Sequence, residues 1–447
     1  MKADLSSLYS LKPPAGHPVL GPDAMSGIPG LLVETIGPAT EADPVAVLVQ
    51  FLAAFGNAVG RGPYFQAEAD RHYLNLFLAL VGESSKGRKG TSLAYAKRLL
   101  VEADPSWEAR NVSGLASGEG LIWAVRDAIY RKEPIKEGGR ITSYQDALED
   151  PGVEDKRLMI VEAEFARLLR TMGREGNTLS ALIRQAWDSG NLQSMTKSFP
   201  AKATAAHTSI IAHGTRSEIL RYLDATDVGN GFGNRFQWFC SRRSKCLPEG
   251  GQIPPTQLAY LSSRVRQALE HARTVGLMER DEEARALWID VYPALSEGGF
   301  GMVGALTSRA EAQVMRLACL YALLDESSVI RAVDLRAALA LWQYSEESCR
   351  YIFGNSLGDP MADEINGALV LAPFGMTRDQ IRHHVGKNKP ADQIEAALRH
   401  LSSMGLATYE KEPTAGRSVE RWFSVRGGRK GREGREGPRD LDAVNPS

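Results

Sequence analysis

The apolar run Tyr73–Val81 stops at Gly82, and the chain then turns polar through Gly82-Glu-Ser-Ser-Lys-Gly-Arg-Lys-Gly-Thr-Ser92 before a helical pattern from Thr91 to Ala103. A buried strand, a glycine-bearing loop and a helix in that order make a phosphate-binding unit. Glycines let backbone N–H groups wrap phosphate oxygens, a lysine at the helix start meets the outer phosphates, and a Ser/Thr hydroxyl serves magnesium. Gly82 to Gly87 has the interval of GxxxxGK[ST]. Arg88 then stands in the lysine place, and Lys89-Gly90-Thr91 supplies the lysine and hydroxyl displaced along the chain. The expected phosphate and magnesium contacts are therefore Lys89 and Thr91. Arg88 or Lys86 adds a phosphate contact, and Gly82, Gly87, Gly90 and Ser92 complete the loop. The competing reading is a basic, glycine-rich surface turn.

Nucleotide hydrolysis also needs acids at the end of a second buried strand, for metal and attacking water. Arg157-Leu-Met-Ile-Val-Glu-Ala-Glu-Phe165 ends such a strand in Glu162 and Glu164. Two apart on extended backbone, the carboxylates share a side and can face one metal. Alternatively they open the helix Phe165 to Met172, where acids suit the dipole. Glu119, in the tight turn Ser117-Gly-Glu-Gly120, is a further candidate base or simply a turn acid. A third apolar strand, Ser209-Ile-Ile-Ala212, runs into His213 and Thr215, either of which suits a γ-phosphate sensor. Arg235 follows a glycine-rich stretch and precedes the strand Phe236-Gln-Trp-Phe-Cys240, a placement that fits an arginine finger reaching a neighbouring subunit or a local salt bridge.

Strand-length apolar runs alternate with helical patterns between about 44 and 250, which implies an α/β core with a mostly parallel sheet. Asp43-Pro44 reads as the N-cap and first turn of a helix over Val45–Val59. The expected organisation is an extended Pro/Gly-rich lead-in over 1–43, the core over 44–250, a helical subdomain over 251–357 without strands, a winged helix over 358–425, and a disordered Arg/Gly tail over 426–447. Cys240, Cys246, Cys319 and Cys349 have no paired spacing that suggests zinc or a disulfide framework, so they read as buried thiols. No apolar run is long enough to span a bilayer and no signal-peptide pattern opens the chain, so a cytoplasmic, membrane-free protein is expected. With 53 Lys+Arg against 54 Asp+Glu, the net charge of −1 argues against a uniformly basic nucleic-acid coat and leaves local positive patches open.

The winged-helix expectation rests on three helical segments within 362–404, with Thr377 as an N-cap, followed by strand-like Leu406–Lys411 and Ser418–Val425. The third helix would enter the DNA major groove, with Lys387, Lys389, Gln393 and Arg399 near DNA and Arg417 on the wing. Asp392 and Glu395 dilute that basic face, and a protein-packing role is the alternative. The basic tail adds salt-sensitive phosphate attraction.

The segment Thr40–Gly56, the loop Gly82–Ser92, Ser117-Gly-Glu-Gly-Leu121, Gly176-Asn-Thr-Leu-Ser180, Ala186-Trp-Asp188 and Asn234-Arg-Phe236 resemble a family of uncharacterised P-loop ATPases. Phages, plasmids and integrated elements encode these proteins, often beside or fused to a primase-polymerase domain. The resemblance spans about residues 20 to 425. It implies a RecA/AAA-like P-loop NTPase core, a replicative-helicase-type motor, and ATP and Mg2+ binding at Lys89, Thr91, Glu162 and Glu164. The expectation is thus an oligomeric, DNA-dependent ATPase, a ring such as a hexamer, with any primase a separate partner. A DNA-binding regulator or loader without unwinding activity is the alternative, and a nucleotide kinase is a third reading suggested by Lys89-Gly-Thr91.

Overall fold

The computed structural model describes residues 16–84, 86–195, 201–299, 301–354, 359–386, 389–413 and 418–425. The chain divides into two compact units, Met1–Asn355 and Ser356–Ser447. Lys387, Arg417 and the tail from 426 onward lie outside the described residues.

The first unit is built on a five-stranded, all-parallel sheet: β1 (Phe77–Val81), β2 (Asn111–Val112), β3 (Arg157–Glu162), β4 (His207–Gly214) and β5 (Phe236–Cys240), in the spatial order β5-β1-β4-β3-β2. Every residue of β1, β4 and β5 is buried, which is why β1 reads as an unbroken apolar run and why the polar residues of β4 and β5, among them His207, Ser209, His213 and Gln237, are buried too. Helices on both faces bury them, giving an α/β fold with a core compatible with a Rossmann- or RecA-like sheet.

Helix α1 (Pro44–Val59) lies along one face. As expected, Asp43 caps it by accepting the Val45 N–H, with Pro44 in the first turn. Its two buried amides, Gln50 and Asn57, are seven residues apart and so share a helix face. Asn57 donates to the carbonyls of Leu158 and His207, at the starts of β3 and β4, and Gln50 reaches His213 at the far end of β4. The helix therefore runs antiparallel to the strands, with an amide at each end of the sheet.

The lead-in expected over 1–43 is not extended where it is described. Gly27–Ile36 is a helix whose Ile28, Leu32 and Ile36 join the main core, because its apolar positions recur at helical spacing despite the flanking glycines and prolines. The helical segment over 251–357 likewise is no separate subdomain. Helix α9 (Ala332–Phe353) seals the free edge of β5: Ser345 and Ser348, three apart on one face, accept the N–H groups of Trp238 and Cys240. Strands also interrupt this region. Leu277–Arg280 and Val329–Ile330 join the hairpin Tyr64–Ala67/Asp70–Tyr73 in a second, four-stranded sheet. A further ribbon, Ile129–Glu137 with Arg140–Asp150, turns at Gly138-Gly139, both at positive φ.

The second unit contains helices Pro360–Leu371, Arg378–His384 and Ala391–Ser403, and an antiparallel sheet of Met376–Thr377, Ala407–Glu412 and Val419–Ser424. Thr377 caps the second helix in a reciprocal pair with Gln380. Among the described residues no helix is long and apolar enough to cross a membrane. Cys240, Cys319 and Cys349 are buried, and burial pushes the Cys240 and Cys319 thiols up to about 12.

Candidate functional site

Parallel strands put all their carboxyl ends on one edge of the sheet, and the loops leaving that edge form the candidate site. Register brings β1 and β4 to the same height, Val81 beside Gly214, so the Gly82 loop starts against the end of β4 and the Gly82 N–H donates to the Gly214 carbonyl. A side chain at Gly82 would run into the Ser241 carbonyl. One at Gly87 would sit 3.0 Å from the Glu83 oxygen and 3.4 Å from the Lys89 ammonium. Both positions therefore favour glycine, because the loop backbone packs too closely for a Cβ, Gly82 against Ser241 and Gly87 against Glu83.

Helix α2 (Lys89–Ala103) begins at Lys89. The preceding Arg88 adopts left-handed backbone, φ 48 and ψ 27, a conformation that favours glycine. Its guanidinium is tied to Glu41 at 2.8 Å, and Glu41 also pairs with Arg243 and accepts the Leu247 N–H. These bonds, led by Arg243, hold the Glu41 carboxyl at about 2. The ion pair anchors the strained turn and leaves Arg88 occupied within the chain. Lys89 Nζ folds back over the loop to the carbonyls of Gly82 (2.9 Å) and Glu83 (3.1 Å). Burial lowers its pKa, opposed by the negative charge of Glu218. Gly90 separates Lys89 from Thr91, which is exposed in the first turn of α2 as is Lys86 in the loop.

Ser92 faces inward into a buried relay. Its hydroxyl bonds the Lys89 carbonyl (2.8 Å) and accepts from Gln50 Nε2 (2.6 Å), and Gln50 Oε1 meets His213 Nε2 (2.8 Å). Because the Gln50 amide nitrogen is committed to donation, its oxygen is the acceptor and His213 carries its proton on Nε2. Burial, aided by Lys89, depresses His213 to about 4, so it is neutral at pH 7. Gln50 escaped the sequence reading. Its signal was present, as one of two amides in an otherwise apolar helix.

Glu162 ends β3 and is 4% exposed. It stands beside Ala212 in β4, so one strand separates it from the strand that feeds the glycine loop, about 10 Å across the sheet at ordinary strand spacing. Its Oε1 accepts from the N–H groups of Gly114 (2.9 Å) and Leu115 (2.6 Å), just past β2, and so is turned toward the sheet's outer edge. Glu164 is exposed at the N-cap of α4 (Phe165–Met172), without a side-chain capping bond. Glu119 is not in a simple turn. It occupies the first turn of a short helix, Gly118–Ala124, capped by Ser117 through the Gly120 N–H. All three acids lie at the loop edge of the sheet. Among the described residues no group of three or more His, Cys, Asp or Glu side chains is placed to hold a metal. Magnesium bound through phosphate, water and one or two protein oxygens needs no such cage.

Two expected residues are placed otherwise. Thr215 caps the helix Arg216–Tyr222 in a reciprocal pair with Glu218, so its hydroxyl is engaged with that carboxylate at 2.7 Å. Arg235 lies before the amino end of β5, at the sheet edge opposite the glycine loop. It is 6% exposed and grips Asp188 with both arms, Nε to Oδ1 at 3.1 Å and Nη2 to Oδ2 at 2.5 Å. The guanidinium expected to reach a neighbouring subunit is thus spent inside its own chain.

In the second unit, Lys389 and Gln393 are exposed at the start of the helix Ala391–Ser403. Arg399 is exposed but bonded to Glu395 one turn earlier (2.9 Å), and Glu395 also pairs with Arg378. No protein-family model matches the chain, and no curated protein matches it significantly.

Proposed function

We propose that the chain is an ATP-hydrolysing P-loop protein that acts on DNA, as an oligomeric, replicative-helicase-like motor of a mobile genetic element. One observation carries the reading. A strand with a polar end, β4, is inserted between the strand feeding the glycine loop and the strand ending in acid, and Lys89 opens the helix directly after that loop. This arrangement sets a cationic loop, a polar strand end and a buried carboxylate along one edge of the sheet, the order that a triphosphate and its metal need.

In this reading, Lys89 exchanges its bonds to the Gly82 and Glu83 carbonyls for phosphate oxygens, and the loop N–H groups close around them. Thr91 and Glu162 would hold Mg2+, whose charge neutralises the phosphate oxygens when ATP is bound. Glu164 or Glu119 orients and deprotonates the attacking water. The second unit is read as a winged helix, with Lys389, Gln393 and Arg399 toward DNA; its three helices and three-stranded sheet support this.

The test is ATP turnover with and without single-stranded DNA. Lys89→Ala should abolish turnover, and unchanged turnover would refute the site. A second reading, an ATP-controlled DNA-binding regulator or loader without strand separation, is favoured by Arg235 being paired within its own chain. Displacement of a strand from a forked duplex distinguishes the two.

A further inference from the structure

At the sheet edge opposite the phosphate loop, two distant segments meet: Asp188, closing the helix Leu179–Asp188, and Asn234-Arg235, leading into β5. Asp188 binds Arg235 and lies 3.7 Å from Arg309, whose Nε also donates to Asn234. Three guanidiniums approach the Trp187 ring, those of Arg316 at 3.7 Å, Arg309 at 5.2 Å and Arg235 at 5.8 Å from its centroid. Arg316 is fully buried, and its bonds run to backbone and amide oxygens of Asn75 and Trp187 rather than to a carboxylate. Desolvation lowers it to about 9, with Asp188 opposing and Arg61, Arg309 and Arg235 adding to the fall. Positive charge exceeds negative here, and much of it is desolvated.

A cavity of about 630 Å³ opens beside this cluster, between the Tyr64–Tyr73 hairpin, the strand Leu277–Arg280 and the helices Glu282–Ser296 and Ala310–Leu324. Its walls include His72, Arg280, Trp288, Tyr292 and Arg309. Arg280 is held between two rings, 5.0 Å from the Phe65 centroid and 5.2 Å from that of Trp288, and its polar contact is the Met315 sulfur at 3.9 Å. Burial, reinforced by Arg285, depresses its pKa, and among the described residues no carboxylate pairs with it. Tyr292 stands edge-on to Trp288 at 5.5 Å and is 46% exposed.

A half-desolvated arginine that, among the described residues, meets two aromatic rings and a weakly accepting sulfur but no carboxylate, in a cavity of ligand size, is arranged for a planar anionic ligand. We propose that this cavity binds a nucleoside phosphate, with the phosphate on Arg280 and Arg309 and the base against Trp288 and Tyr292. Glu68 and Glu311 on the rim accept from the amino groups of a base. The ligand is either a free nucleotide or one unit of a single strand, which stacks on aromatic rings and pairs with arginines in the same way. The inference stands apart from the phosphate-loop assignment, because it uses none of that loop's residues.

The experiment titrates the full chain with fluorescein-labelled dodecathymidylate and with mant-AMP, comparing Lys89→Ala with the same variant carrying Arg280→Gln or Tyr292→Ala. Lys89→Ala removes the loop lysine and should still bind a probe. Arg280→Gln should weaken that binding by roughly tenfold or more, the effect of one lost charge-assisted hydrogen bond. Tyr292→Ala, at an exposed position that should tolerate truncation, should weaken it by several-fold through lost stacking. Weakening of the oligonucleotide alone identifies a strand, and weakening of mant-AMP identifies a free nucleotide. Binding of neither probe by Lys89→Ala, or unchanged binding in both cavity variants, overturns the proposal. Thermal melts of each variant identify a loss that comes from misfolding, and in that case the Tyr292→Ala result decides.

Discussion

Replacing Gln50 with leucine tests whether β4 and helix α2, which follows the glycine loop, are energetically coupled. The amide is fully buried, and its two N–H groups are shared among three acceptors within range, Ser92 Oγ at 2.6 Å, Ala46 O at 3.1 Å and Lys89 O at 3.3 Å. Ser92 keeps its own bond to the Lys89 carbonyl when Gln50 is gone. The cost therefore falls mainly on His213 Nε2, which loses its acceptor while buried, about 1–3 kcal/mol. His213→Leu leaves Gln50 Oε1 without its donor at a similar cost. In the double variant both polar ends are gone, so its loss should fall short of the sum of the two singles by about 1–2 kcal/mol. Urea unfolding at pH 7, where His213 is neutral, measures all four corners of the cycle. Because Gln50 also touches the first turn of α2, ATP affinity should fall in Gln50→Leu. Additivity to within about 0.5 kcal/mol would show that the relay couples nothing.

Stability should fall on acidification below about pH 6.5. Burial holds His72, His207 and His213 at about 4, 3 and 4, so the unfolded chain takes up protons first, and up to three of them lower stability by at most about 4 kcal/mol per pH unit between pH 6 and 4. Melting temperatures that are equal at pH 7 and pH 5 would contradict this. Glu162→Gln retains an oxygen for the Gly114 and Leu115 amides, so it should stay folded while ATP turnover and Mg2+ affinity fall; wild-type turnover would remove Glu162 from the metal site. Arg235→Ala should cost about 1–3 kcal/mol in urea unfolding, a discounted figure because the Asp188 side chain is 42% exposed and rehydrates. Unchanged stability with lost turnover would instead return Arg235 to the finger role. Glu395→Gln frees Arg399 and weakens the hold on Arg378, so duplex DNA affinity should rise a few-fold at low salt, and a fall would count against DNA contact by this helix.

The strand–glycine loop–helix unit was legible because local chemistry specifies it: five successive buried residues, then a glycine, then a helix start. Capping was legible for the same reason, at Asp43 and Thr377. The sequence by itself thus determined the α/β class, the buried strands and the loop that carries Lys89. Tertiary structure decided what those residues touch. Thr215 and Arg235 read in the sequence as a sensor and a finger, yet the hydroxyl bonds Glu218 and the guanidinium grips Asp188, forty-seven residues away. Strand order, the sealing of β5 by serines on α9, and the meeting of Trp187-Asp188 with Asn234-Arg235 depend on contacts between distant segments, which neither periodicity nor capping encodes. A residue's chemistry is written locally, but its partner is set by whichever distant backbone the core brings beside it, and at buried positions that partner decides what the residue can do.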